Sequence, residues 1–419
     1  MKNFTKDRMF YKFCMYGFLK NLKFFETFLM LFFLEKGLSF LQIGTLYSIQ
    51  FVAVNIMQMP TGIFADAMGR RRTMIISFGS YIISFAMFFF AASYPMFAVS
   101  MIFFAFGESF RSGTHKAMIF QYLTSKGWQD QKVHYYGHTR SWSQAGSALS
   151  VLIAAGIVFY SGSYKYIFAA SIIPYLLDML LIMSYPAELD GEKKELKAGQ
   201  IRGSIVSVMK ESFGSLKDTH VLRSINNAAV YTGFYDAMKT YLQPVLKTLA
   251  LSIPVFLAYD EKKRSAIVVG IVYALLYLQT AYFSRISGRI AEQFKNLSRP
   301  LNLFLLIGLG AGVASGILYH YTYLLASVIV YIIIYIIQNI RRPINEAYIT
   351  DMVEHKILAT ALSAEGQVST LITALLAPLL GVLADHFGVG MALAGVSAGI
   401  ILLFPLYYAG ERKTGNAES

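Results

Sequence analysis

The chain has 419 residues, of which 56% are hydrophobic and only 15% are charged, whereas soluble globular domains carry about 25% charged residues. With a mean hydropathy of +0.50 and roughly 20 residues needed for each membrane-spanning helix, the composition indicates a polytopic membrane protein without a large soluble domain. The basic residues that give the net charge of +13 lie between apolar runs, and this distribution argues against nucleic-acid binding. The single Cys14 excludes an intrachain disulfide and argues against a cysteine-based metal site.

Twelve apolar segments are long enough to cross a membrane, and clusters of Gly, Pro and polar residues separate them. The first six predicted helices span about 11–34, 40–64, 73–92, 95–122, 138–160 and 163–186. The second six span about 221–247, 264–287, 300–318, 322–350, 357–383 and 388–409. Because the first ten residues are polar and basic and no cleavage site follows, we expect the first helix to act as its own insertion signal.

Basic residues concentrate in one set of loops. That set includes Arg70, Arg71, Arg72, Lys126, Lys132, the basic residues of 193–223, Arg285, Arg289, Arg412 and Lys413. The opposite loops hold only Lys36, Lys165, Lys247, Lys262, Lys263 and Arg264. Because cytoplasmic loops carry the excess of Lys and Arg, we predict an inner-membrane protein with both termini in the cytoplasm.

The longest loop separates two six-helix bundles, predicted at residues 1–186 and 221–419. Within this 187–220 linker, apolar residues recur at helical spacing from Ile201 to Leu216 with Lys and Glu between them. This pattern predicts an amphipathic helix on the cytoplasmic surface. For 187–200, a solvated linker is an equally good interpretation.

The two halves can be superimposed as an internal repeat. Gly62-Ile-Phe-Ala-Asp66 after helix 2 matches Gly288-Arg-Ile-Ala-Glu292 after helix 8, and Arg111 in helix 4 matches Arg341 in helix 10. A six-helix repeat is typical of transporters whose binding site lies between the repeats.

The loop between helices 2 and 3 reads Gly62-Ile-Phe-Ala-Asp66-Ala-Met-Gly69-Arg70-Arg71-Arg72. It resembles the signature loop of the major facilitator superfamily, G-x-x-x-D-x-x-G-R-R/K-R/K, and matches it at every fixed position. The resemblance implies an all-α fold of twelve transmembrane helices in two pseudo-symmetric six-helix bundles. It also implies a conformational latch formed by Gly62, Asp66, Gly69 and Arg70, with a degenerate copy at Gly288 and Glu292.

Two departures from the superfamily's sequence patterns bear on the kind of transporter that the resemblance implies. The resemblance gives Arg111 a place near the central cavity, but the usual Gln-Gly after such an arginine is missing. Helix 5 contains Gly146 and Gly156 but no proline, so it lacks the Gly-Pro-x-x-Gly-Gly motif of drug–proton antiporters. Efflux of drugs or amphipathic lipids therefore becomes the alternative and not the main hypothesis.

Charged residues inside the predicted helices are the principal candidates for function. They are Lys20, Lys23, Glu26, Glu108, Arg111, Lys116, Arg140, Asp178, Asp236, Lys239, Arg341, Arg342, Glu346 and Glu365. Each charge near a helix centre costs about 2.5–3.5 kcal/mol in lipid. We therefore expect most of them to face a wet cavity or to form ion pairs.

Helical spacing indicates which charges share a face. Lys23 and Glu26 are three residues apart in helix 1, as are Asp236 and Lys239 in helix 7. Under the repeat, Lys23 overlies Asp236 and Glu26 overlies Lys239, so the halves carry opposite signs at equivalent positions. Lys116 likewise overlies Glu346, and Gln144 overlies Glu365. These charges either contact a solute or a proton, or form salt bridges that exchange as the cavity opens.

We predict a secondary transporter, not an enzyme, that works by alternating access and is driven by protons, because the chain has no nucleotide-binding loop. The predicted proton-coupling residues are Glu26, Glu365, Asp236, Arg111 and His115, although a structural role is a competing interpretation for His115. The predicted substrate contacts are Lys23, Glu26, Arg111, Lys116, Tyr235, Asp236, Lys239, Gln144, Arg341 and Glu346. Asp178 is interpreted as a buried, hydrogen-bonded group.

The mixed charges favour a small polar, anionic or zwitterionic solute, such as a carboxylate metabolite or a siderophore. A non-transporting membrane receptor is a further alternative, although such a protein would be expected to have lost its cavity charges. We expect a monomer in the lipid bilayer that binds its solute and protons, with no cofactor, metal or nucleic acid.

Overall fold

The computed structural model describes residues 5–190, 219–254, 256–294, 296–353 and 358–410. Throughout these ranges the regular structure is helical, with no strand. The predicted amphipathic helix of the central linker lies outside the described residues.

The first half of the chain forms eight α-helices. They are α1 (Arg8–Lys20), α2 (Leu29–Glu35), α3 (Phe40–Met68), α4 (Arg70–Phe90), α5 (Tyr94–Arg111), α6 (Thr114–Ser125), α7 (Lys132–Ser161) and α8 (Tyr166–Met183). The second half forms seven more in the described ranges. They are α9 (Thr219–Met238), α10 (Leu242–Ser252), α11 (Glu261–Glu292), α12 (Ser298–His320), α13 (Leu324–Met352), α14 (Leu358–Leu402) and α15 (Phe404–Tyr407).

Eight helices in the described ranges are long and apolar enough to cross a membrane, which is compatible with the predicted twelve spans. The last of these, at Thr360–Leu402, covers most of two predicted spans, 357–383 and 388–409. They meet at Gly388, where φ of +82° interrupts the helical backbone. The predicted helices 1, 4 and 7 are each divided into two shorter helices, and none of these shorter helices is among the eight.

The division of these three spans differs from the sequence prediction, which made each of them continuous. Residues 21–28 separate α1 from α2, Ser112 and Gly113 separate α5 from α6, and a 3₁₀ turn at Lys239–Tyr241 separates α9 from α10. Apolar composition marks a span but does not report a local change from α-helical backbone to a turn or a 3₁₀ helix, so hydropathy could not have located these interruptions.

The chain divides into two compact units. The first comprises Met1–Leu38, Ile49–Ile205 and Ala250–Tyr277, and the second comprises Ser39–Ser48, Val206–Leu249 and Leu278–Ser419. Two long helices, α3 and α11, therefore each contribute one part to either unit.

Serine hydroxyls and aromatic rings hold the first unit together. Ser77, Ser80 and Ser84 on α4 donate hydrogen bonds of 2.6–2.8 Å to backbone carbonyls of α5. Phe25 packs against Phe85 and Phe104 with ring centroids 5.0 and 5.3 Å apart. Hydroxyl-to-carbonyl bonds of this kind are common between membrane helices, because a polar side chain without a partner is costly in hydrocarbon.

The second unit relies more on close backbone approach. A Cβ at Gly316 would collide with the Gly390 carbonyl oxygen, and one at Gly308 would collide with the Tyr231 ring. Ser315 and Ser327 exchange hydrogen bonds of 2.9 Å between α12 and α13. Small residues bring these helices close together, as is usual where lipid removes the hydrophobic drive for association.

Candidate functional site

The interruption of the first span carries two of the predicted site residues. Lys23 and Glu26 lie between α1 and α2, with Lys23 Nζ 3.6 Å from Glu26 Oε2, and 43% of the Glu26 side chain is exposed. Neighbouring Phe24, Phe25 and Phe28 are buried, so the aromatic side chains anchor this segment in the first unit while the ion pair stays accessible. Backbone bonds of the i→i+3 type, such as Glu26 N–H to the Lys23 carbonyl at 3.1 Å, keep the segment hydrogen-bonded.

The interruption of the fourth predicted span lies directly after a second ion pair. Arg111, the last residue of α5, forms a salt bridge with Glu108 one turn earlier. The Tyr81 hydroxyl on α4 donates to Glu108 Oε2 at 2.5 Å and accepts from Arg111 Nε at 3.2 Å. Gly113 then takes φ of +75°, a conformation that glycine adopts without steric cost. This three-residue network fixes the orientation of the Arg111 guanidinium.

A third ion pair accompanies the interruption of the seventh span. Lys239 Nζ lies 2.7 Å from Asp236 Oδ1 and 5.7 Å from the centre of the Tyr235 ring. The hydroxyls of Tyr331 and Tyr335 on α13 donate to the carbonyls of Met238 and Lys239 at 2.5 and 2.9 Å. These tyrosines satisfy backbone carbonyls at the 3₁₀ turn, which would otherwise be costly inside a membrane.

The interruptions of the first and seventh spans occur at equivalent positions of the repeat. Lys23 and Glu26 overlie Asp236 and Lys239, and each pair lies at the break of its own span. Gly113 corresponds to Pro343, but the helix α13 continues through that proline, so the fourth span is interrupted where its repeat partner is not. Each pair joins residues three positions apart in one segment. The exchange of such salt bridges as the cavity opens stays a prediction.

Arg341 lies in a different environment from its repeat partner Arg111. Its side chain is fully buried, and Nη2 donates to Asn227 Oδ1 at 2.7 Å. The guanidinium carbon lies 4.5 Å from the centre of the Tyr231 ring. Nε and Nη1 have no hydrogen-bond partner among the residues that the structure describes. In this conformation Arg341 is therefore enclosed by the second unit.

His115 is also enclosed. Only 8% of it is exposed, its ring stacks on Tyr16 with centroids 3.5 Å apart, and Nε2 lies 3.1 Å from the Tyr185 hydroxyl. This environment favours the structural interpretation of His115 over proton relay.

Four other predicted residues lie at separate places. Lys116 is exposed, with its ammonium 5.0 Å from the centre of the Tyr136 ring. Gln144 is half-buried in α7, and Glu346 is 61% exposed and pairs with Arg342 at 3.6 Å. Glu365 is half-buried in α14 and accepts a long hydrogen bond of 3.4 Å from Thr232.

Asp178 differs from its prediction as a hydrogen-bonded group. The residue is fully buried in α8, yet neither carboxylate oxygen has a hydrogen-bond partner among the described residues. Burying a carboxylate without hydrogen-bond partners is costly, so Asp178 is a polar group without hydrogen bonds among the described residues of the first unit.

The signature loop contains a sharp turn and an anchor that the sequence did not reveal. Gly69, with φ of +92°, separates α3 from α4. Asp190 Oδ1 accepts a hydrogen bond of 2.8 Å from the Arg71 backbone N–H, and the Arg71 guanidinium donates to the Tyr185 carbonyl at 2.7 Å. A Cβ at position 69 would lie 2.9 Å from the Asp190 carboxyl carbon, so glycine is required there by both conformation and space.

The remaining predicted latch residues are less constrained. Arg70 donates a long hydrogen bond of 3.4 Å to the Ala117 carbonyl, and Asp66 is exposed. Gly62 lies within α3. Gly288 lies within α11 with open space around it, and exposed Glu292 is the last residue of that helix.

Sequence reasoning missed Tyr81, Asp190 and Asp385. No sequence pattern marked Tyr81, because it is one of many aromatic residues in its helix. No pattern marked Asp190 either, because it lies at the start of a polar linker. Asp385 did give a signal, since it stands in a Gly-x-x-Ala-Asp-x-x-Gly pattern like that of the signature loop.

Comparison with known proteins identifies the family. The model of the Major Facilitator Superfamily matches residues 22–364. An uncharacterized MFS-type transporter, YxaM of Bacillus subtilis (strain 168), is 25% identical over 229 residues. That match covers 54% of this chain and 56% of the relative, so the chain spans about half the length of this curated relative.

Solved structures share the fold across nearly the whole chain. The nucleoside transporter NupG superposes with a TM-score of 0.72 at 14% identity, covering 96% of this chain and 97% of that one. A POT family transporter in complex with a thioalcohol-conjugated peptide gives 0.70 at 14% identity, covering 96% of each chain. A D-xylose-proton symporter gives 0.69 at 14% identity, covering 97% and 98%. The predicted all-α transporter fold is confirmed, and this multi-pass membrane protein belongs to the major facilitator superfamily.

Proposed function

We propose that this protein is a proton-coupled secondary transporter that moves a small polar, anionic or zwitterionic solute by alternating access. The observation that carries the proposal is the coincidence of ion pairs with helix interruptions. Lys23–Glu26, Glu108–Arg111 and Asp236–Lys239 each lie at a break in a predicted span. Discontinuous helices of this kind supply backbone dipoles and unpaired polar groups to binding sites in secondary transporters.

Paired charges of both signs support a solute that carries charge or strong hydrogen-bonding groups. Each pair is only partly buried, with side-chain exposures between 13% and 43%, so water or a solute can reach it. The carboxylate of such a solute offers an acceptor to Lys23 or Arg111, and the ammonium group of a zwitterion offers a donor to Asp236.

Two carboxylates are the proposed proton carriers. Glu26 is accessible beside Lys23, and half-buried Glu365 accepts a long hydrogen bond of 3.4 Å from Thr232. A carboxylate that is neither fully solvated nor fully hydrogen-bonded can gain and lose a proton as its surroundings change. We further propose that the protein is a monomer of the bacterial inner membrane. The distribution of basic loops supports the placement of both termini in the cytoplasm.

The experiment begins with a thermal-shift screen of the purified protein. Related folds were solved for nucleoside, peptide and D-xylose transporters, so the panel contains nucleosides, dipeptides, pentoses and small carboxylates. Solutes that stabilise the protein are then tested for uptake into proteoliposomes with and without an imposed pH gradient. We expect accumulation that requires the gradient. Binding without any flux would instead support a receptor, and flux that ignores the gradient would contradict proton coupling.

A further inference from the structure

A second copy of the signature-loop pattern lies near the end of the chain. Gly381-Val-Leu-Ala-Asp385-His-Phe-Gly388 has glycine, alanine, aspartate and glycine at the same spacing as Gly62-Ile-Phe-Ala-Asp66-Ala-Met-Gly69. The arginines that follow Gly69 have no counterpart after Gly388, where Val389 follows. The copy therefore keeps the helix-ending part of the pattern without its basic part.

The two copies also have the same backbone conformation. Gly69 has φ of +92° and ψ of 142°, and Gly388 has φ of +82° and ψ of 160°. Other residues rarely adopt this region. In both places the glycine ends one long helix and begins the next.

Asp385 caps the start of another helix. Its Oδ1 accepts a hydrogen bond of 2.8 Å from the Phe40 backbone N–H, and its Oδ2 accepts one of 2.9 Å from the Leu41 N–H. Ser39 and Gln42 form a reciprocal capping box at the same helix start. Together these groups satisfy the four backbone donors at the beginning of α3 that have no partner within the helix.

Close packing brings the carboxylate to this position. A Cβ at Gly381 would collide with the Phe40 carbonyl oxygen, and one at Gly44 would collide with the Ala377 carbonyl oxygen. The backbones of α3 and α14 therefore touch through two glycines. Either side chain added there would separate the helices and withdraw Asp385 from the α3 amides.

We propose that Asp385 is a second conformational latch, which acts on the opposite side of the membrane from Asp66. Because α3 runs from Phe40 to Met68, its start and the Asp66 loop lie at opposite ends of one span. Asp385 is engaged in this conformation, whereas exposed Asp66 accepts no hydrogen bond from the residues that the structure describes. The start of α3, through Ser48, groups with the second unit and the remainder of the helix groups with the first.

In the proposed cycle, the Asp385 contact is made while the pathway is closed on its side and released when that side opens. Asp385 is thus a positioning residue, which sets the balance between states without touching the solute. A carboxylate at a helix start is favoured by both hydrogen bonding and the helix dipole. This inference depends on membership of the transporter family and is independent of proton coupling.

Distance measurements between spin labels test the latch without a substrate. The background is Cys14→Ser, since Cys14 is the chain's single cysteine, with labels at Lys36→Cys, four residues before Phe40, and Phe387→Cys, two residues after Asp385. The labelled full-length protein is measured in lipid nanodiscs. We expect Asp385→Ala to raise the ratio of long-distance to short-distance populations roughly five-fold. Asp385→Asn, which keeps one acceptor oxygen, should give a smaller shift.

Asp260→Ala is the matched control. Asp260 caps the start of α11 through the Lys263 N–H at 2.9 Å, so its loss removes a helix cap without separating two helices. We expect this variant to leave the 36–387 distance distribution unchanged. If Asp385→Ala and Asp385→Asn leave the distribution unchanged, or if Asp260→Ala shifts it equally, the latch is overturned and Asp385 is a helix cap only. Solute flux does not enter the readout, so failure of proton-coupled transport would be a separate result.

Discussion

At the scale of single residues, the two arginines at equivalent places of the repeat show how far a repeat predicts function. Arg111 pairs with Glu108 and Tyr81, whereas Arg341 is enclosed by Asn227 and Tyr231. The sequence predicted that both arginines lie within spans. It could not distinguish their surroundings, because Tyr81 and Asn227 come from other helices and carry no mark of their pairing.

The Tyr81 hydroxyl bridges both members of the Glu108–Arg111 pair. Replacing Tyr81 with Phe removes one donor and one acceptor and leaves the ring packing intact. We expect Tyr81→Phe to destabilise the protein by about 1–2 kcal/mol, measured as a lower melting temperature in detergent. Tyr160, which is 87% exposed, provides the control, and Tyr160→Phe should have no measurable effect. Equal melting temperatures for both variants would contradict the bridging role.

For Asp178 we expect a substitution that does not lower the stability of the protein, in contrast to Tyr81→Phe. Its carboxylate is fully buried without hydrogen-bond partners in the described part of the chain, so an amide of the same shape should fit without burying a charge. We expect Asp178→Asn to maintain or raise the melting temperature at pH 7. The corresponding gain in the free energy of unfolding is up to about 1–3 kcal/mol. A clear loss of stability in Asp178→Asn would show that the carboxylate has a compensating partner.

At the scale of helices, the least predictable feature is the interruption of the three spans that carry the ion pairs. The twelve predicted segments correspond to helical regions, but their breaks at 21–28, 112–113 and 239–241 were not predicted. Apolar composition is the same on both sides of a break, and the local signals are single residues such as Gly113. The breaks became visible only through backbone geometry and, at 239–241, through the tyrosines that donate hydrogen bonds to the Met238 and Lys239 carbonyls.

Gly113 offers a direct test of one interruption. Its φ of +75° strains any other residue, so Gly113→Ala should cost about 1–2 kcal/mol. Gly79 lies within α4 with open space around its Cα, so Gly79→Ala should be neutral or stabilising by about 0.5–1 kcal/mol. The two variants are compared by thermal unfolding in detergent and by solute flux. If Gly113→Ala proves as stable and active as Gly79→Ala, the turn is not required.

At the scale of the whole molecule, the fold was the most predictable property. The Gly62–Arg72 loop, the apolar spans and the six-helix repeat all led to the superfamily that the comparisons confirm. The contact of Asp385 with the start of α3 was not predicted, even though Gly381, Asp385 and Gly388 repeat the signature-loop pattern. The six-helix repeat pairs helix 2 with helix 8, whereas this copy follows helix 11, so it falls outside that register.

The central claim, that solute movement is coupled to protons, also belongs to the scale of the whole molecule, because coupling is a property of the complete transport cycle. Neutralising a proton-carrying carboxylate should prevent a proton gradient from driving the solute while leaving the binding groups on the other helices intact. Glu188 is exposed in the 3₁₀ turn after α8 and supplies a matched control, since Glu188→Gln removes a carboxylate far along the chain from the proposed carriers.

The most direct measurement is solute accumulation in proteoliposomes under an imposed pH gradient, together with binding assayed by thermal shift. We predict that Glu26→Gln or Glu365→Gln abolishes gradient-driven accumulation while solute-dependent stabilisation persists, and that Glu188→Gln behaves like the unaltered protein. Unchanged gradient-driven flux in both Glu26→Gln and Glu365→Gln would contradict the assignment of proton coupling to these carboxylates.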